Sequence, residues 1–229
     1  KRVLLVETNV TRYQGTNDPT GLWLGEAAEF VDEMQKAEIA VDYVSPKGGF
    51  VPLDPRSMKY TDAAIMRVYE DPDFVHRALT QTLKPAEVDP SDYAAIYYTG
   101  GHGVMWDFPD NTELQALAMA IYHHGGYVTS VCHGIAGLLN LKDNDGQYVI
   151  AGRKITGFTT AEEIIAGKKS VVPFLNKKVA EKHGAHFQKR RFYTEYAVKD
   201  GQLLTGQNPF SVRAVAKLLI NELQASWEG

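Results

Sequence analysis

The chain has 229 residues, 44% hydrophobic and 23% charged, the composition of an ordinary globular protein with a sizeable core. Its 24 Lys and Arg against 28 Asp and Glu leave a net charge of −4, so no basic excess recommends nucleic acid or an anionic membrane as a partner. The single cysteine, Cys132, excludes an internal disulfide and a multi-cysteine zinc or iron–sulfur site, and points to a reducing, cytoplasmic home.

The densest apolar run, residues 116–121, falls far short of the roughly 20 residues that span a bilayer. Lys1-Arg2 leads into only a short apolar run before Glu7, too little for the core of a signal peptide.

Apolar β-rich runs alternate with helical patterns along the chain, which predicts a mostly parallel sheet with helices on both faces. Residues 3–6 form the first strand, a helix follows through Leu24, Ala27, Ala28, Val31 and Met34, and residues 39–44 form the second strand. Residues 50–90 break the rhythm with Pro52, Pro55, Pro72, Pro85 and Pro90; they are expected to be an insertion with a short helix over 73–83. The alternation resumes with a strand at 94–98, a helix over 112–124 stopped by Gly125-Gly126, and a strand at 127–131 that runs into Cys132. A helix over 134–141 comes next. Strands at 155–158, 196–198 and 203–204 and helices over 173–182 and 211–223 complete the pattern. No repeat or linker interrupts it, so residues 1–229 are expected to form one α/β domain.

Around Cys132, Ser130 and Gly134 stand two residues to either side, between a strand and a helix. This is the small-x-nucleophile-x-Gly pattern of a nucleophile elbow, a sharp turn expected to strain the nucleophile into exposure. The dipole of the following helix is expected to lower the thiol pKa below its ordinary value of about 8.5. Gly100-Gly101-His102-Gly103 ends the preceding strand, and in an open parallel sheet it should face the same crevice. The Gly101 or His102 N–H with that of His133 could make an oxyanion hole, Gly103 easing close approach of the backbone. His133 is the best base candidate. Glu162 or Glu163 could orient it, although spacing alone favours both simply filling the first turn of a helix and stabilising its dipole. His123 and His124 point about 100° apart and no His-Glu-x-x-His occurs, so no metal site is expected. Lys189-Arg190-Arg191 is expected to be a solvated surface turn.

Taken together, residues 100–107 (Gly-Gly-His-Gly-Val-Met-Trp-Asp), Val131-Cys132-His133-Gly134, Ile155-Thr156-Gly157-Phe158-Thr159 and Thr205-Gly206-Gln207-Asn208-Pro209 resemble the ThiJ/PfpI superfamily, and within it the heat-shock chaperone and glyoxalase III branch. The resemblance covers nearly the whole chain. It implies a flavodoxin-like three-layer sandwich whose 50–90 insertion forms a cap near the site. It also implies a Cys132–His133–Glu163 constellation, with Glu26 as a protonated neighbour of the thiolate. The implied reaction is conversion of methylglyoxal, a small aldehyde, to lactate without glutathione or any cofactor, by a homodimer. A cysteine amidase or peptidase, or a redox-sensing holdase, is the alternative. A late His-x-Glu, the mark of glutamine amidotransferases of this fold, is absent from the sequence.

Overall fold

The computed structural model describes residues 1–228. Its main sheet is built from β1 (Arg2–Val6), β2 (Val41–Val44), β3 (Tyr93–Tyr98), β4 (Tyr127–Val131), β7 (Ala197–Asp200) and β8 (Leu203–Gly206), in the order β2-β1-β3-β4-β8-β7. All neighbours pair in parallel except β7, which lies antiparallel on the β8 edge. This is a flavodoxin-like order, with a topological switch between β1 and β3.

The side chains of β1 divide between two cores because a strand alternates its faces. Val3 and Leu5 pack toward α1 (Leu24–Lys36), α2 (Ala63–Tyr69) and the last helix (Val212–Glu228). Leu4 and Val6 pack toward the helix Thr112–His123 and the turn after β4. Tyr97 stacks on Phe30 of α1, with ring centres 3.9 Å apart, and donates its hydroxyl hydrogen to the Glu26 carbonyl 2.8 Å away. That bond fixes the first turn of α1 against the end of β3.

Several elements differ from the sequence expectation. The helix over 134–141 is replaced by a six-residue 3-10 turn, Cys132–Gly137. Its glycines let the backbone lie against β3: a Cβ on Gly134 would stand 2.2 Å from the Tyr98 carbonyl oxygen. The strand at 155–158 shrinks to β5 (Lys154–Ile155), paired with the unforeseen β6 (His186–Phe187). It ends there because the Thr156 N–H donates to Thr205 Oγ1 and the Phe158 N–H to the Cys132 carbonyl.

In the insertion, Asp62 caps α2 by accepting from the Ile65 N–H at 2.8 Å. The polar and proline-rich surroundings obscured that helix in the sequence. The helix over 73–83 is instead a turn, Pro72–Phe74, followed by a π-helical stretch, Val75–Thr80. Leu83 leaves to form a bridge with Val44. Lys189, Arg190 and Arg191 are exposed, with Arg190 over the Tyr196 ring. No helix among the described residues is long and apolar enough to cross a membrane.

At the end of β1, Glu7 is fully buried and neither carboxylate oxygen has a hydrogen-bond partner among the described residues. Burial pushes its pKa well above the ordinary value. A raised carboxyl pKa contributes stability that is fully present below the unfolded pKa and is lost as pH rises through the folded one. Glu7→Leu is therefore expected to stabilise the fold at neutral pH by about 2 kcal/mol, or ~4–8 °C in melting temperature. The gain should be smaller at pH 4 than at pH 8, as calorimetry at the two pH values would read.

Candidate active site

The chain leaves β4 and turns at Cys132 with φ of +60°, one of three non-glycine residues with positive φ among those described. A side chain in this region costs roughly 1–2 kcal/mol, as a nucleophile elbow requires. The expected exposure is not found, because Cys132 is only 3% exposed. The glycine loop after β3 lies directly against the elbow: a Cβ on Gly100 would come within 3.0 Å of the His133 nitrogen and 2.7 Å of Glu26 Oε1.

Three elements converge on the sulfur. From the elbow itself, His133 Nδ1 lies 3.5 Å from Sγ. From the short helix Thr160–Ile165, Glu163 accepts from His133 Nε2 through Oε2 at 2.8 Å. From α1, Glu26 accepts the Gly100 N–H through Oε1 at 2.8 Å, its Oε2 has no hydrogen-bond partner among the described residues, and its carboxyl interacts with the Cys132 thiol. The Gly101 and His102 N–H groups have no backbone acceptor among the described residues, which leaves them available to a developing oxyanion. Gly103 instead packs against Thr8 and Val10.

The two neighbouring glutamates, which spacing left undistinguished, separate in the structure. Glu162 accepts from the Thr159 N–H and hydroxyl, and through its other oxygen from the Tyr193 N–H and Asn208. That is a helix capping box joined to two loops, a structural arrangement. Glu163 projects to the imidazoles. His123 and His124 are exposed and make none of the hydrogen bonds of this cluster.

A model of the DJ-1/PfpI family matches residues 24–222. The chain belongs to the DJ-1/PfpI family. It is similar to the glutathione-independent glyoxalase HSP31 of Saccharomyces cerevisiae, 33% identical over 235 residues that cover 98% of each chain. Among solved structures it resembles the Francisella tularensis Rapid Encystment Protein 24 KDa, with a TM-score of 0.93 and 34% identity over 97% of this chain and 99% of that one. Glyoxalase III from Candida albicans superposes with a TM-score of 0.83 at 31% identity, covering 96% of each chain.

The electrostatics of this DJ-1/PfpI site differ from the sequence expectation at the thiol. Burial, then the charges of Glu26 and Glu162, push the Cys132 pKa well above its ordinary value, and the His133 N–H only partly opposes them. A short 3-10 turn has little aligned dipole to offer, which is why the expected depression fails. Burial likewise raises Glu26 to about 8, against the Gly100 N–H and the Cys132 thiol. Burial acts to raise Glu163 too, yet the two imidazoles outweigh it and hold the carboxylate at about 2. Cys132 and Glu26 are thus an acid pair, beside a Glu163 that remains ionised.

Sequence reasoning used His102 only for its backbone. In the structure its imidazole occupies the second oxygen of Glu163, with Nε2 2.5 Å from Oε1, and Tyr13 closes on its other nitrogen. The two Nε2 atoms and the Glu163 carboxylate lie within 4.8 Å of one another. We assign no metal to them, because 2.5 and 2.8 Å are N–H···O distances and each carboxylate oxygen is already matched to one donor.

Proposed function

We propose that this protein is a glutathione-independent glyoxalase that converts methylglyoxal to lactate on Cys132, and that Cys132, His133, Glu163 and Glu26 carry the chemistry. The observation that carries the reading is the placement of Sγ between a basic nitrogen, His133 Nδ1, and a carboxyl raised to about 8, Glu26. Two proton-handling groups at one sulfur suit a reaction that must move a proton between neighbouring carbons.

His133 takes the thiol proton, and the sulfur adds to the aldehyde carbon as the C=O π electrons move to oxygen. The Gly101, His102 and His133 N–H groups stabilise that oxyanion until it is protonated. Glu26 or His133 then removes the hydrogen from the former aldehyde carbon to give an enediolate. Returning a proton to the former ketone carbon leaves a lactoyl thioester on Cys132. Water adds to the thioester carbonyl, the C–S bond breaks, and the thiol regains its proton. The sum is methylglyoxal plus water to lactic acid. One carbon is oxidised and its neighbour reduced, so the sequence draws on no cofactor.

Trp23 and Tyr60, ring centres 5.5 Å apart, stand where α1 meets the 50–90 insertion, which we read as the cap of a single domain. Tyr193 approaches from the opposite loop, close enough to feel the charge of Cys132. The lone cysteine suits a reducing cytoplasm. A homodimer is the assembly expected on resemblance.

Purified protein incubated with methylglyoxal is expected to form lactate at the same rate with and without glutathione. Strict dependence on glutathione, or no lactate from a folded sample, would overturn this reading.

A further inference from the structure

Glu163 serves two rings at once. His102 Nε2 is 2.5 Å from Oε1 and His133 Nε2 is 2.8 Å from Oε2. The remaining nitrogen of His102, Nδ1, lies 2.8 Å from the Tyr13 hydroxyl, and that of His133 lies 3.5 Å from Cys132 Sγ. Tyr13, His102, Glu163, His133 and Cys132 form one hydrogen-bonded chain drawn from four separate stretches of sequence. Both nitrogens of His102 face protein atoms, so neither His102 nor Tyr13 reaches substrate through this chain.

The proton positions follow from what each group can donate. An ionised carboxylate only accepts, so both Nε2 atoms carry their hydrogens. A neutral imidazole carries one N–H, which makes each Nδ1 an acceptor. Tyr13 therefore donates to His102; burial and the nearby Asp54 keep its hydroxyl protonated. His102 is held neutral by burial, which lowers its pKa to about 4. At the far end, His133 Nδ1 is left open toward the thiol. A carboxylate that already accepts from His102 gives less support to a positive charge on His133, so the thiol–imidazole pair stays uncharged in the resting site.

Tyr13 is seated firmly for this task. Its ring lies under Lys168 Nζ at 4.7 Å and the Arg56 guanidinium at 5.4 Å, and both cations pair with Asp18. Arg56 belongs to the insertion and Lys168 follows the helix that carries Glu163, so the tyrosine is clamped from both sides of the site.

We infer that Tyr13 and His102 are positioning residues that dictate which nitrogen of His133 faces Cys132 and keep the Cys132–His133 pair uncharged until substrate arrives. The inference rests on the reading of Cys132 and His133 as nucleophile and base. Other titratable groups also face the pair. Glu26 approaches from α1, Tyr97 from β3, Glu162 and Glu163 from the helix Thr160–Ile165, and Tyr193 from the loop before β7; Asp54 faces His102. Substitution at 13 or 102 leaves all of them in place.

Because Cys132 is the only cysteine, alkylation by iodoacetamide read as intact mass reports this thiol alone and needs no aldehyde substrate. In the full chain, His102→Leu is expected to move the midpoint of alkylation rate against pH down by about one unit, a tenfold gain in thiolate below the midpoint. His102→Gln, whose amide can still donate to Glu163, should recover at least half of that shift, and Tyr13→Phe should move the midpoint the same way by less. Nitrogen-15 NMR of the wild type should find the His133 hydrogen on Nε2. A hydrogen on Nδ1 of His133 would overturn the inference, as would folded His102→Leu and Tyr13→Phe samples whose profiles overlay the wild type. Should His102→Leu fail to fold, Tyr13→Phe and the tautomer decide the matter. A wild type that makes no lactate yet shows the stated tautomer and shifts would sink the glyoxalase reading and leave this network standing.

Discussion

Cys132→Ala is expected to lower lactate formation from methylglyoxal by about 10⁴-fold or more, to the level of the uncatalysed reaction, because no other group in the site can form the covalent intermediate. Glu26, His133 and Glu163 have only the Cys132 sulfur to act upon. Alanine takes the same left-handed backbone at similar cost, and only the sulfur is removed from a buried position. The melting temperature should therefore change by no more than a few degrees, and mass spectrometry should find an aldehyde or lactoyl adduct on the wild type and none on the variant. A folded Cys132→Ala protein that still turns over methylglyoxal would show that the nucleophile lies elsewhere.

Glu26→Gln is expected to cost about 10²–10⁴-fold in kcat/KM. Glutamine can keep the hydrogen bond from the Gly100 N–H, so the backbone around the oxyanion donors is preserved while the proton shuttle is lost. Glu26 titrates at about 8, so the wild-type rate should change through a limb near pH 8 that the variant lacks. The same group links pH to stability. Its folded pKa is raised above the unfolded value, so the stability it contributes is fully present below about pH 4.5 and is lost as pH rises through about 8. Glutamine carries no such linkage. The melting temperature of Glu26→Gln relative to wild type should accordingly rise between pH 5 and pH 9. A wild-type limb near pH 8 that survives in the variant would assign it to another group.

Much of the scaffold was legible because strand burial leaves a simple mark. The apolar runs of β1, β3 and β4 stand in the sequence almost at their observed bounds, since a strand covered on both faces can admit few polar side chains. The helices Leu24–Lys36 and Thr112–His123 were marked by apolar spacing and, for the second, by the Gly125-Gly126 stop. Short elements escaped. β5 and β6 are two residues each, too short for any periodicity, and the 3-10 turn at Cys132 is set by how closely Gly134 and Gly137 pack on Tyr98.

The sequence by itself determined the parallel α/β scaffold, the elbow at Cys132 and the glycine loop facing it, because each depends on neighbouring residues: burial periodicity, small residues flanking a turn, and backbone without side chains. It could also nominate His133, which adjoins the cysteine. Only the tertiary structure decided which of Glu162 and Glu163 meets an imidazole, that Cys132 is buried with a raised pKa, and that the His102 side chain and Tyr13 belong to the site. Those facts depend on residues far apart in sequence arriving within hydrogen-bond distance in a place without water. Tyr13 and Glu163 are brought to opposite sides of one imidazole by loops whose composition carries no periodic signal, and desolvation, which sets the acidity of Cys132 and Glu26, exists only once the chain has closed around them.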